Sequence, residues 1–258
     1  MSPRGRPRPA RGGRAGPALE AGASDGPMVL YGRNAVHEAL RAGRRAVSEV
    51  WATASTAREP WLRDVAVRIA DVRAIAERAG TDAHQGVCAT AAPYPYVDPV
   101  DLLEADSPLL VALDEVQDPQ NLGAVCRTAE CAGATGVVIP ARRSAEVTPA
   151  VCKASAGAVE YLRIARVRNL ADFLAEAKTG GCWCYGAAAE GAVPYTEPDY
   201  RGGVVLVLGS EGKGLRPRVA AACDLLVALP MRGHIGSLNV SAAAAALLYG
   251  ILQMREKT

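Results

Sequence analysis

No two cysteines in this chain are spaced as CxxC, although there are seven of them. Cys182 and Cys184 stand too close together for the usual pair of zinc ligands, so no metal site is expected. The thiols read as those of a reduced, cytoplasmic protein, with Cys126, Cys131, Cys152 and Cys223 as small apolar fillers among alanine and valine. An apolar segment is missing near the amino terminus, so a secretory signal is not expected there, and a transit peptide is the alternative reading. The longest apolar run, Val240 to Met254, is broken by Ser241, Gly250 and Gln253 and is short for a membrane span; it reads as a buried helix. GxGxxG is absent as well, and the loop Gly209-Ser-Glu-Gly-Lys-Gly214 has glycine where a phosphate loop needs serine or threonine after its lysine. Dinucleotide binding and nucleotide hydrolysis are therefore not expected.

Strong net charge is lacking too: the total is +2. Arg4, Arg6, Arg8, Arg11 and Arg14 against Glu20 and Asp25 put +3 on residues 1–27, which leaves −1 for the remainder. A near-neutral body binds a polyanion only through local basic patches or through that tail.

What is present is 258 residues of 50% apolar content, enough for a packed core in one large or two small domains. Residues 1–27 bury too little to offset their chain entropy and are expected to be a disordered basic tail. Residues 28–92 read as a small α/β unit. It holds a helix over Asn34–Leu40 with Asn34 near its cap, a strand over Val47–Ala52, a strand or short helix near Val65–Ile69, a helix from Asp71 to Ala79 stopped by Gly80, and a strand at Gly86–Thr90. Arg58, Arg63, Arg68, Arg73 and Arg78 recur every five residues, but on a helix that spacing rotates about 140° per step and shares no face. Prolines at 93, 95, 99 and 108 mark a linker over 93–108. Residues 109–258 then alternate apolar strands (Leu109–Leu113, Val137–Ile139, Cys182–Gly186, Val204–Leu208, Leu225–Leu229) with helices (Leu122–Cys131, one after Pro149, Leu170–Lys178). Such alternation specifies an α/β fold with a mostly parallel sheet covered by helices.

Three polar, glycine-marked segments lie beside these apolar runs: Asn121-Leu-Gly-Ala-Val-Cys-Arg127, Leu208-Gly-Ser-Glu-Gly-Lys-Gly-Leu215, and Leu229-Pro-Met231 with Ser237-Leu-Asn-Val-Ser241. Each has a plain reading. Asp118 and Asn121 open a helix, Ser237 and Asn239 cap another, and Glu211 and Lys213 are solvated on a flexible turn. Arg127, among Leu, Ala, Val and Cys, either snorkels from a buried helix or points into a polar site.

Together and in this order the three segments resemble the SpoU (TrmH) branch of the SPOUT RNA methyltransferases. The opening Tyr31-Gly-Arg-Asn-Ala-Val-His-Glu-Ala-Leu40, with His84-Gln-Gly86, resembles the amino-terminal RNA-binding domain of its ribosomal subgroup. The resemblance implies a SPOUT domain with a deep trefoil knot, preceded by a small α/β substrate-binding domain. It implies S-adenosylmethionine as cofactor, contacted by Leu208, Gly209, Leu229, Met231 and Leu238. Asn121, Arg127, Glu211, Ser237 and Asn239 are the catalytic set it implies. The expected reaction is 2′-O-methylation of a ribose in RNA, foremost a guanosine of 23S ribosomal RNA, by a cytoplasmic homodimer with its active site at the subunit interface. Methylation of tRNA, methylation of ribosomal RNA that confers antibiotic resistance, and a non-catalytic RNA-binding role in ribosome assembly are the competing readings.

Overall fold

The computed structural model describes residues 26–189 and 191–256; of the tail expected at 1–27, all but Gly26 and Pro27 lies outside the described residues. The chain runs β1 (Met28–Tyr31), α1 (Arg33–Ala42), β2 (Val47–Ala52), β3 (Val67–Ile69), α2 (Val72–Ala79) and β4 (Val87–Ala91), forming a four-stranded sheet of order β1-β4-β2-β3. Then follow α3 (Pro99–Leu103), β5 (Leu109–Asp114), α4 (Pro119–Cys131), β6 (Gly136–Pro140), α5 (Pro149–Ala154), β7 (Ile164–Val167), α6 (Leu170–Thr179), β8 (Trp183–Ala187), β9 (Val193–Pro194), β10 (Val204–Gly209), α7 (Pro217–Ala222), β11 (Leu225–Ala228) and α8 (Val240–Glu256). Their strands make a seven-stranded sheet of order β7-β6-β5-β10-β8-β11-β9, in which every pairing is parallel. β5 and β10 are buried almost throughout, as strands covered on both faces must be.

Strand order explains where a site can form. From β5 the chain moves outward to β6 and β7, whereas from β10 it moves the other way to β11. Neighbouring strands whose connections diverge leave a crevice beyond their carboxyl ends, here between β5 and β10.

Several sequence expectations change in detail. α1 begins at Arg33 behind Gly32, so Asn34 lies inside the first turn and does not cap it. β7 and α7 were not foreseen. Arg58 ends one short 3₁₀ turn, Arg63 follows a second, Arg68 is on β3 and Arg73 and Arg78 are on α2, so a rotation argument for one helix does not apply. Two of them do converge: Arg68 and Arg78 lie 4.4 and 4.5 Å from the Trp51 ring centre. Cys131 is exposed, whereas Cys126 and Cys152 are buried; burial raises the Cys152 thiol to about 12. α8 buries one face, Val240, Ala244, Leu247, Leu248 and Ile251, and leaves Tyr249 44% exposed on another. It is thus half-buried. Among the described residues no helix is long and apolar enough to cross a membrane.

The segment over 93–108 is fastened to the larger sheet. The Tyr94 hydroxyl contacts the carbonyls of Leu162 (2.8 Å) and Val159 (3.0 Å), Tyr96 accepts from Val147 N (2.8 Å), and Val97 pairs with Ala165 beside β7. Arg45, just beyond α1, reaches across to Glu160 with both side chains almost wholly buried. Arg44 donates to Leu162 O at 2.6 Å and to Pro95 O at 3.1 Å. One of the two apolar clusters among the described residues runs through both halves, from Leu30 and Val36 to Leu122, Val151 and Leu206.

Candidate active site

Helix α4 starts where Pro119 supplies a preset φ and the Asp118 carboxylate accepts from Gln120 N at 2.9 Å. Its start three residues earlier than the apolar pattern suggests puts Asn121 in the first helical turn. Gly123 lets α4 pack against α5, since a Cβ there would stand 2.4 Å from that of Ala154. At the end of β10 the chain enters a tight ring. Gly214 N donates to Ser210 O at 2.9 Å, and a side chain on Gly209 would lie 2.1 Å from the Gly214 carbonyl carbon. α8 opens on Asn239, whose Oδ1 accepts from Ser241 N at 2.9 Å.

These three starts meet. Asn121 Nδ2 donates to Glu211 Oε1 at 3.1 Å; Asn239 Nδ2 donates to Asn121 Oδ1 at 2.9 Å and also to Glu211 Oε1. Asn239 is therefore both the helix cap of the plain reading and a member of the cluster. The Glu211 carboxylate lies beside the amino ends of two helices, α4 and α8, where unpaired N–H groups favour negative charge. Asn121 is half-buried and the other two are exposed.

The remaining candidates divide. Leu208 is 1% exposed, with its side chain in the core and its backbone in register with Leu113 of β5, so any ligand contact it makes is through backbone. Gly209 and Leu229 are half-buried, while Met231 and Leu238 are 39% and 46% exposed on a segment, 231–239, that is open to solvent along its whole length. Ser237 lies on that segment. Arg127 is exposed and makes no hydrogen bond or ion pair among the described residues. From Asn121 it is about 120° around α4 and about 9 Å along it. The single chain thus gathers Asn121, Glu211 and Asn239 and leaves Arg127 outside.

Sequence reasoning missed Asp114 and Arg216. Asp114, with no exposed surface, ends β5 and accepts from Arg216 N (2.8 Å), Arg216 Nε (2.8 Å) and the guanidinium again at 2.6 Å. Hydrogen bonding to that carboxylate raises the Arg216 pKa further. Next to it, Glu115 adopts a φ of 58°, unusual for a residue with a side chain, and lies 3.4 Å from Arg216. This pins the carboxyl end of the glycine ring to β5. A fully apolar strand ending in aspartate was the available signal, because a carboxylate in that position must find a cation or donors.

The profile of the SpoU rRNA Methylase family matches residues 108–249, and that of the RNA 2′-O ribose methyltransferase substrate binding domain matches residues 29–97. The Bacillus subtilis protein YacO, which carries the name of a TrmH family tRNA/rRNA methyltransferase, is 38% identical over 240 residues, 88% of this chain and 95% of its own. The rRNA methyltransferase of Sinorhizobium meliloti, solved with S-adenosylmethionine bound, superposes with a TM-score of 0.75 at 26% identity over 88% of this chain and 87% of that one. The SpoU methyltransferase AviRb of Streptomyces viridochromogenes, in complex with the same cofactor, shares the fold with a TM-score of 0.76 at 24% identity, over 90% and 91% of the two chains. This chain belongs to the SpoU (TrmH) family of S-adenosylmethionine-dependent RNA methyltransferases.

Proposed function

We propose that the chain methylates a ribose 2′-oxygen of RNA, with a guanosine of 23S ribosomal RNA as target. The observation that carries this is the meeting of Asn121, Glu211 and Asn239 from three distant segments at the carboxyl edge of the parallel sheet. The substrate-binding profile over residues 29–97 favours the ribose oxygen as acceptor.

The donor set suits the cofactor. Backbone groups of Leu208 and Gly209 and the apolar side chains of Leu229, Met231 and Leu238 offer a nonpolar surface with amides and carbonyls at its rim, which matches a flat adenine ring and a methionine chain. When bound, S-adenosylmethionine supplies an electrophilic methyl group on a sulfonium. The protein's part is to align the ribose oxygen with that methyl and to stabilise the charge left as its proton departs. Asn121 and Asn239 hold one oxygen of Glu211, which leaves Oε2 to orient the hydroxyl together with Ser237. Arg127, a planar cation with a fork of N–H donors and no acceptor, acts by orienting a phosphate or the developing oxyanion.

Arg127 lies away from the cluster of its own chain, and in this reading it serves the cluster of a second copy. Helix α4 packs against α8, whose outward residues Ala242, Ala246 and Tyr249 offer a flat surface for a homodimer. The enzyme then works in the cytoplasm on ribosomal RNA. Mapping of 2′-O-methyl groups in ribosomal and transfer RNA from strains with and without the gene tests the assignment. Loss of one methylated guanosine from 23S RNA is expected; loss from tRNA, or no loss, overturns the target.

A further inference from the structure

We infer that the loops after β6 and β7 form a second contact surface for the phosphodiester backbone of RNA, carried by Arg142, Arg143 and Arg168. The inference rests on RNA being the substrate, and it adds a place on the methyltransferase domain where the strand beside the target is held. In a parallel sheet all carboxyl ends lie along one edge, so these loops share an edge with the Asn121–Glu211–Asn239 cluster. β6 pairs with β5 and β7 pairs with β6. At ~4.8 Å per strand, the end of β7 is about 10 Å from the end of β5, within reach of the nucleotides that flank a ribose held at the cluster. The two loops are joined at their base: Ala141 N donates to Val167 O at 2.8 Å, and Arg142 and Arg168 are the next residue on each side.

Charge accounting at this edge favours an anion. Arg142 and Arg168 are exposed, and neither has a hydrogen-bond or ion-pair partner among the described residues. Arg143, its side chain 76% exposed, reaches Glu115 at 3.6 Å. The neighbouring carboxylates are already held by other arginines. Glu146 is bound by Arg166 at 2.7 Å, Glu115 and Asp114 by Arg216, and Asp172 on α6 by Arg218 at 2.7 Å. A lone exposed arginine is usually only solvated. Here three stand on adjacent strand ends beside a polar cluster; Glu146, Asp114, Glu115 and Asp172 are paired with other arginines, and Asp118 caps α4. Arginine forks at that spacing suit successive phosphates. They would give affinity and register and leave base choice to other contacts.

The test uses the full-length protein, a single-stranded 20-nucleotide RNA and transcribed 23S RNA. Anisotropy titrations across KCl concentrations compare wild type, Arg142→Ala/Arg168→Ala, the charge-keeping Arg142→Lys/Arg168→Lys, and Arg163→Ala at the opposite end of β7. Each lost phosphate contact on a single strand lowers the log–log salt slope by about 0.7, so the double alanine variant should lose about 1.4. The lysine variant and Arg163→Ala should keep the wild-type slope. Methyl transfer to 23S RNA should show a raised KM for RNA in the double alanine variant, with kcat, S-adenosylmethionine affinity and melting temperature unchanged. An unchanged salt slope in that variant, while wild type still methylates RNA, overturns this surface alone. A wild type that binds the cofactor but neither binds nor methylates RNA overturns the functional reading and this surface with it.

Discussion

At the seam between the two sheets, Arg45 and Glu160 pair with side chains 2% and 1% exposed, and Arg45 also donates to Ala92 O at 3.0 Å. At the carboxyl edge of the larger sheet Glu211 is held by two amides on an exposed turn, and further along α4 Arg127 stands in solvent. Both regions join distant segments through charged and amide side chains, yet only the first is closed. A buried guanidinium must have every donor met by protein, because no water can do it, so the seam is complete within one chain. The edge keeps its polar groups solvated and its apolar ones, Met231, Ile235 and Leu238, uncovered. Such a region is left open to a ligand or a partner.

The contrast breaks first if the seam tolerates disruption. Glu160→Ala leaves Arg45 charged and unpaired in the interior, which should lower stability by about 3 to 5 kcal/mol. For a chain of this size that is a fall of roughly 10 °C in melting temperature, measured by calorimetry. The fraction still folded at 25 °C should turn over normally. A melting temperature within a degree of wild type would show that the seam is loose and the buried pair incidental.

Arg127→Ala is the converse case. With no partner among the described residues of its own chain, Arg127 should be removable with melting unchanged while methyl transfer falls about a hundredfold, ~2.7 kcal/mol of transition-state stabilisation. Cofactor affinity should hold. A variant that keeps more than a tenth of wild-type turnover would show that Arg127 is peripheral.

Asp114→Asn lies between the two, since Asp114 is buried like the seam but anchors a loop of the edge. Charge-assisted bonds to Arg216 are worth about 1.5 to 3 kcal/mol, and their loss should slacken the ring from Gly209 to Leu215. Calorimetry should find roughly tenfold weaker S-adenosylmethionine binding, with the KM for RNA little changed. Equal losses in both would place Asp114 with the fold.

How much of this was legible in the sequence follows the same division. Local signals served well: Asp71 and Asp118 cap the helices they precede, and Gly80 ends α2 with a φ of 67°. The parallel sheet followed from its continuous apolar strands. β7 escaped because Arg166 interrupts a four-residue strand, and α7 because six residues give no helical period. The Asp114–Arg216 and Arg45–Glu160 pairs span 102 and 115 residues, a separation that only tertiary packing brings together. The three motifs were visible as a set, but not that Asn121 and Arg127 would point to different sides of α4. That outcome depends on the helix beginning at Pro119 and on which face α5 and α8 cover.

Asn239 sharpens the comparison within one side chain, because it belongs to the fold through Oδ1 and to the site through Nδ2. Asn239→Ser keeps an N-cap oxygen for Ser241 N, so α8 should hold its start and stability should change by no more than about 0.5 kcal/mol. The serine hydroxyl is too short to bridge Asn121 and Glu211, and the cluster should lose one of its three members. Because Asn121 still holds Glu211 at 3.1 Å, the carboxylate keeps part of its aim. The expected result is a fall in turnover of about threefold to tenfold, roughly 0.7 to 1.4 kcal/mol, which is the smallest effect of the four. Thermal melting and single-turnover methylation on the same preparation read the two roles separately. If stability falls by ~1 kcal/mol or more while the rate per folded molecule is untouched, Asn239 is a cap alone, and the cluster at the carboxyl edge is part of the fold.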